Sequence, residues 1–152
     1  MAIDRRLATL GADVVGLQEL LLYGVKGCAA YSAHARILGQ ESAAVYAFFH
    51  EALDALASGL SDVPTLLGLN LRCGAVALEV LELLDRANTG AFGQPEPTPV
   101  RMAPTAGKAI LVSGHDLEDL KALLEQTAGT GIKVYTHGEM LPAHGYPGLK
   151  RF

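Results

Sequence analysis

The sequence predicts a mainly α protein: a three-helix bundle over residues 1–87, a proline-rich extended linker over 88–107, and a partial α/β (βαβ) unit over 108–152. Three observations predict it. Apolar residues recur at three- and four-residue steps through the first half of the chain, the period of one helix face. Prolines and glycines then gather between Asn88 and Gly107, where neither helix nor strand is favoured. Beyond Gly107 two short apolar, partly β-branched runs flank one further helical pattern, the signature of a βαβ unit.

In the first helix, expected over residues 13–38, Leu17, Leu20, Leu21, Gly24, Cys28 and Tyr31 share a face, and Gly39 stops it. The second, over 41–57, carries Val45, Phe48, Phe49, Ala52, Leu53 and Leu56 at the helical period. Ser58-Gly59 and Ser61-Asp62 supply a break with capping residues, and Pro64 falls where a first-turn proline is tolerated. The third helix is expected to reach about Ala87, with Leu66, Leu69, Cys73, Val76, Ala77, Val80 and Leu84 on one face. Aromatic residues make up only 6% of the chain and Trp is absent, so the core calls for closely spaced helices with small residues at the contacts. Gly68 and Gly74 are expected to admit a neighbouring helix.

Asn88-Thr89-Gly90 and the prolines 95, 97, 99 and 104 mark the linker. Phe92, Val100 and Met102 give it apolar side chains to bury, so an ordered arm is expected. Residues 109–112 then read as a strand, Ser113-Gly114-His115-Asp116 as a turn, and Leu117, Leu120, Leu123 and Leu124 as a helix ended by Gly129 and Gly131. Residues 132–136 form the second strand of this reading. Asp116 suits the helix N-cap, with Glu118 and Asp119 in a first turn whose exposed amides favour carboxylates.

Composition excludes several functions. The net charge is −4 and no basic block exceeds a pair such as Arg5-Arg6, which speaks against nucleic acid and anionic membranes as partners. The longest apolar runs fall far short of the ~20 residues needed to span a bilayer. Asp4, Arg5 and Arg6 interrupt any signal-peptide core, and a cytoplasmic location is expected. Cys28 and Cys73 lie inside apolar helical patterns without CxxC spacing. They read as buried thiols, with a disulfide as the alternative.

Chemistry is expected where the two parallel strands end, since ligand sites of open α/β sheets form at the carboxyl edge. His115 and Asp116 follow the first strand; His137, Glu139 and Met140 follow the second. An imidazole and a carboxylate aimed at one point suit iron or zinc. Spacing alone favours His115 and Glu139 as ordinary loop residues, the first bonding its own turn and the second solvated. His137 and His144 are further candidates that also read as a strand-end and a surface or loop histidine, and His34 and His50 read as helix-surface or packed residues of the bundle. The turn before Asp116 lacks the three-glycine fingerprint and a P-loop lysine, and Asp116 itself would repel phosphate. No GxSxG nucleophile elbow occurs.

Two strings sharpen this reading. Residues 110–120, ILVSGHDLEDL, and 134–144, VYTHGEMLPAH, resemble adjacent signature segments of the hybrid cluster (prismane) proteins, the hydroxylamine reductases. Residues 83–97, LLDRANTGAFGQPEP, and 16–31, GLQELLLYGVKGCAAY, are similar to further segments of that family. The resemblance implies that His115 and Glu139 ligate an iron–sulfur–oxygen cluster in an oxidoreductase that reduces hydroxylamine to ammonia, or nitric oxide. It also implies what is missing: the family's cluster cysteines, its second glutamate ligand and the cysteine motif for its electron-supplying cluster find no match here. The expectation is therefore an interior fragment or truncated form that holds no complete cluster and is inactive alone. The alternative is a non-catalytic interaction or assembly module. Two strands with one crossover helix leave open edges, so a homo-oligomer through the incomplete sheet, or a mobile 107–152 region, is also expected.

Overall fold

The computed structural model describes residues 3–152, and these form six α-helices, one 3₁₀ helix and two strands. The chain divides into two compact units, Met1–Arg86 and Ala87–Phe152. The mainly α architecture expected from the periodicity is the one observed.

The first unit contains α1 (Ile3–Leu10), α2 (Ala12–Ile37), α3 (Ala43–Ala57) and most of α4 (Val63–Phe92). The short α1 adds to the three long helices that the apolar pattern reveals. Arg6 ties it to α2 by donating to Glu19 and to the Gln18 side-chain oxygen. The buried stripe of α2 is Val15, Gln18, Leu21, Val25, Cys28, Ser32 and Ala35. Leu20, expected on that face, is 61% exposed. The polar Gln18 takes a core position because both ends of its amide are satisfied: it accepts from Arg6 and donates to the Leu60 carbonyl. Leu21, Val45, Leu66 and Val80 are almost wholly buried, each worth about 1.5–3 kcal/mol relative to exposure.

Capping sets the helix ends. The Ser42 hydroxyl accepts from the Val45 amide at the start of α3, and the Asp62 carboxylate accepts from the Thr65 amide and hydroxyl at the start of α4. Helix contact through glycine occurs on the expected face of α2 rather than at the two glycines expected on α4. A Cβ built on Gly68 or Gly74 would meet nothing within 4 Å, whereas one on Gly24 would sit 2.8 Å from the Cys73 Sγ. Gly24 is thus the close-approach residue, and Gly68 and Gly74 lie on the exposed side of α4.

Helix α4 continues past Ala87, through Asn88-Thr89-Gly90, and ends at Phe92. Glycine in a helix interior costs about 1 kcal/mol, but Phe92 is buried and packs edge-on against Tyr146 with centroids 6.1 Å apart. That burial offsets the poor local propensity. Residues 93–108 follow without regular structure. They are pinned nonetheless: the Glu96 amide donates to the Gly145 carbonyl at 2.8 Å, and the Thr105 amide donates to the Tyr135 hydroxyl at 2.8 Å. Met102, expected to help bury this arm, is 89% exposed.

The second unit goes on with β1 (Ala109–Ser113), α5 (Leu117–Thr127), β2 (Lys133–His137), the 3₁₀ helix Gly138–Gly145 and α6 (Pro147–Lys150). The strands are parallel, pairing Ala109 with Lys133 through to Ser113 with His137. The Asp116 carboxylate caps α5 by accepting from the Glu118 and Asp119 amides. Leu117 and Leu120 of α5 are buried, while Leu111 of β1 is 71% exposed. No helix among the described residues is long and apolar enough to cross a membrane.

Candidate metal centre

The two strands end in register, and the chain repeats one device at both ends. Ser113 pairs with His137. Each is followed by a glycine at positive φ, Gly114 at 129° and Gly138 at 59°. Each glycine is followed by a candidate ligand, His115 or Glu139. The result brings His115 Nδ1 to 3.3 Å from Glu139 Oε2, with 40% and 72% of the two side chains exposed. Two residues from separate loops therefore share one accessible spot at the carboxyl edge of the sheet.

The other candidates take different places. His137 Nδ1 lies 3.1 Å from the Ser113 Oγ, bridging the strand ends. His144 Nε2 lies 2.7 Å from the Thr136 Oγ1, bringing the 3₁₀ helix back onto β2. Asp116 is engaged as the α5 cap, and Met140 is buried, holding the same 3₁₀ helix to the unit. His34 and His50 sit on α2 and α3 of the first unit. Among the described residues no group of three or more His, Cys, Asp or Glu side chains is placed to hold a metal ion.

The donor set fits part of a metal site. His115 offers a borderline nitrogen and Glu139 a hard oxygen, both accessible, and together they suit one corner of an iron centre. Thiolates are another matter. Cys28 and Cys73 are free and buried in the helical core of the first unit. Burial, then the neighbouring Cys73, pushes the Cys28 thiol up to about 11, and burial raises Cys73 as well. Thiols held protonated in a core are packing groups rather than cluster ligands.

A cleft of about 800 Å³ lies elsewhere in the second unit. Leu120, Leu124, Ile132, Val134 and Leu149 give it an apolar lining, and neither His115 nor Glu139 belongs to it. Among the described residues its lining includes no Asp, Glu or Cys side chain, so the accessible His–Glu pair is the better chemical candidate. Reading the sequence alone missed the matched Gly114 and Gly138 turns and the Thr136–His144 bond. A glycine directly after each strand was the available signal for the first; nothing local signalled the second.

Comparison with known proteins agrees with the motifs. The Prismane/CO dehydrogenase family profile matches residues 1–152. The chain is 66% identical over 151 residues to the hydroxylamine reductase of Rhodospirillum rubrum, covering 99% of this chain and 28% of that protein. It is 60% identical over 152 residues to that of Burkholderia ambifaria, covering 100% of this chain and 27% of the relative. Against the hydroxylamine reductase of Zymomonas mobilis it is 57% identical over 150 residues, covering 99% of this chain and 28% of the relative. The chain thus spans little more than a quarter of the length of these relatives. With the family profile matched from end to end, the chain belongs to the Prismane/CO dehydrogenase family.

Proposed function

We propose that this chain supplies one imidazole and one carboxylate, His115 and Glu139, to the metal cluster of an iron–sulfur oxidoreductase that reduces hydroxylamine. The separation of 3.3 Å between His115 Nδ1 and Glu139 Oε2 carries the reading. Two donor atoms bound at about 2.1 Å to one metal ion, at angles near 90–110°, lie about 3.0–3.4 Å apart. The pair already stands at the spacing that shared coordination requires.

Reducing hydroxylamine to ammonia breaks the N–O bond and consumes two electrons and two protons, releasing water. An iron–sulfur–oxygen cluster, when bound, supplies the electrons and a Lewis-acidic coordination position. The chain's own part is to hold two ligand side chains at an open edge where further ligands and a small substrate can approach. The thiolate ligands have to come from other polypeptide, because Cys28 and Cys73 are core thiols. The chain alone is therefore inactive in this reading. Nitric oxide is its second candidate substrate, its setting is cytoplasmic, and neither nucleic acid nor membrane is a partner.

Anaerobic reconstitution with iron and sulfide tests the proposal. The isolated chain is expected to show no hydroxylamine reduction. A full-length hydroxylamine reductase carrying this sequence in place of its own homologous segment is expected to lose more than about 100-fold in activity on His115→Ala or Glu139→Ala, since even residues one step behind a ligand cost 10–100-fold. Activity in the isolated chain, or normal activity in either substituted protein, would count against it. The rival reading, a non-catalytic module, expects both substitutions to be silent.

A further inference from the structure

We infer that His144 is a positioning residue for Glu139, acting through its hydrogen bond to Thr136; this rests on the reading of Glu139 as a metal ligand. Glu139 stands in the first turn of the 3₁₀ helix Gly138–Gly145. With 72% of its side chain exposed and the His115 ring as its partner, the carboxylate takes its place from the backbone that carries it. One end of that backbone is fixed by β2, whose last residue pairs with Ser113. The other end returns to the same strand, where His144 Nε2 meets Thr136 Oγ1 at 2.7 Å.

This bond closes residues 137–143 into a loop whose base lies one residue inside the strand. Met140 and Ala143 pin the inner side of the loop by burial. Pro142 has no amide to add, and 3₁₀ hydrogen bonding is poorer than that of an α-helix. The side-chain tie at the base is therefore a main restraint on the segment that carries Glu139. It is part-buried, so water replaces it less readily than it would an exposed contact. Residues that orient ligands in this indirect way set metal affinity by about 10–100-fold.

The test uses a full-length hydroxylamine reductase carrying this chain in place of its own homologous segment, stripped of metal and with Co(II) as the probe, reading Co(II)-induced NMR shifts at His115 and Glu139. Thr136→Val keeps the shape but removes the hydroxyl; it should weaken Co(II) binding about tenfold. Thr136→Ser restores the hydroxyl and should bind within about twofold of the unsubstituted protein, with β1–β2 amide exchange unchanged in both. Equal binding by Thr136→Val and the unsubstituted protein overturns the proposal. If Thr136→Val disturbs the strand ladder, His144→Gln and His144→Leu decide. Gln keeps a hydrogen-bonding group and should bind Co(II) several-fold tighter than Leu; equality again overturns the proposal. Failure of the underlying reading looks different: the unsubstituted protein would then show no Co(II) shifts at His115 and Glu139, and the positioning role would fall with the ligand role.

Discussion

Replacing Gly138 by alanine should loosen the Glu139 loop through backbone strain alone. Gly138 sits at φ 59°, where an L side chain costs about 1–2 kcal/mol. A Cβ built there meets nothing within 4 Å, so no steric clash adds to that cost. Gly114 is equally open but sits at φ 129°, outside the left-handed helical region and tolerated by little except glycine. Asparagine accepts the left-handed helical region better than alanine does. Gly138→Asn should therefore recover about half of the loss seen for Gly138→Ala, and Gly114→Asn should recover none relative to Gly114→Ala. Native-state hydrogen exchange measures this in the β1–β2 ladder and at the Tyr146 amide, which donates to the Ala143 carbonyl at the end of the same 3₁₀ helix. A cost of about 1–2 kcal/mol speeds exchange about 5–30-fold. Unchanged exchange in Gly138→Ala would refute the strain argument. Equal rescue by asparagine at both positions would refute the distinction between the two turns.

Gly24→Ala should destabilise the first unit by about 1–3 kcal/mol through overpacking against Cys73 Sγ, and adding Cys73→Ala should recover part of that; a thermal melt of the single and double variants in which the costs simply add would contradict it. Cys28 is raised from an ordinary 9.0 to about 11, so its contribution to stability is whole below pH 9, falls as the unfolded chain loses its proton first, and is gone above about 11. The loss is of order 2 kcal/mol, and urea titrations across that range should show a flatter profile for Cys28→Ala; identical slopes would rule out this thiol as the cause. The open strand edges and the apolar cleft beside β2 should make the isolated chain associate through its sheet, seen as a concentration-dependent mass in light scattering; a strict monomer with ladder amides as protected as those of α3 would show the unit to be self-sufficient.

Much of the helical architecture was legible because periodicity reports burial directly. Leu66, Leu69, Cys73 and Val80 of α4 are buried as their spacing requires, and so are Val45, Phe48 and Ala52 of α3. The failures have particular physical causes. On α2 the buried face includes Gln18 and Ser32, and a polar residue such as Gln18, satisfied by the distant Leu60 carbonyl, looks like a surface position in any local pattern. The end of α4 was read short because Asn88, Thr89 and Gly90 are poor helix formers, while the contact that carries the helix to Phe92 comes from Tyr146. Gly68 and Gly74 looked like contact glycines, yet only packing decides which glycine meets a neighbour, and that is Gly24.

The proximity of the two candidate residues was legible for a different reason. Parallel strands must end at one edge, so residues just beyond each strand have to be neighbours whatever the rest of the chain does. His115 and Glu139 each lie two residues past a strand-end residue, Ser113 or His137, and those two are paired. A register slip of one residue would turn every side chain of one strand to the opposite face and carry His115 away from Glu139. The ladder consequently sets the separation of 3.3 Å, and the glycines set the direction. Motif strings recorded which residues stand at the edge; the sign of φ at Gly114 and Gly138 and the return of His144 to Thr136 emerge only when the chain is folded. A change that shifts the register without touching either residue, such as an insertion within β1, should on this argument abolish the His115–Glu139 contact as completely as removing one of the two side chains does, with loss of the nuclear Overhauser effect between them as the measurement. Persistence of that contact after the insertion would mean that the loops, rather than the ladder, hold the pair together.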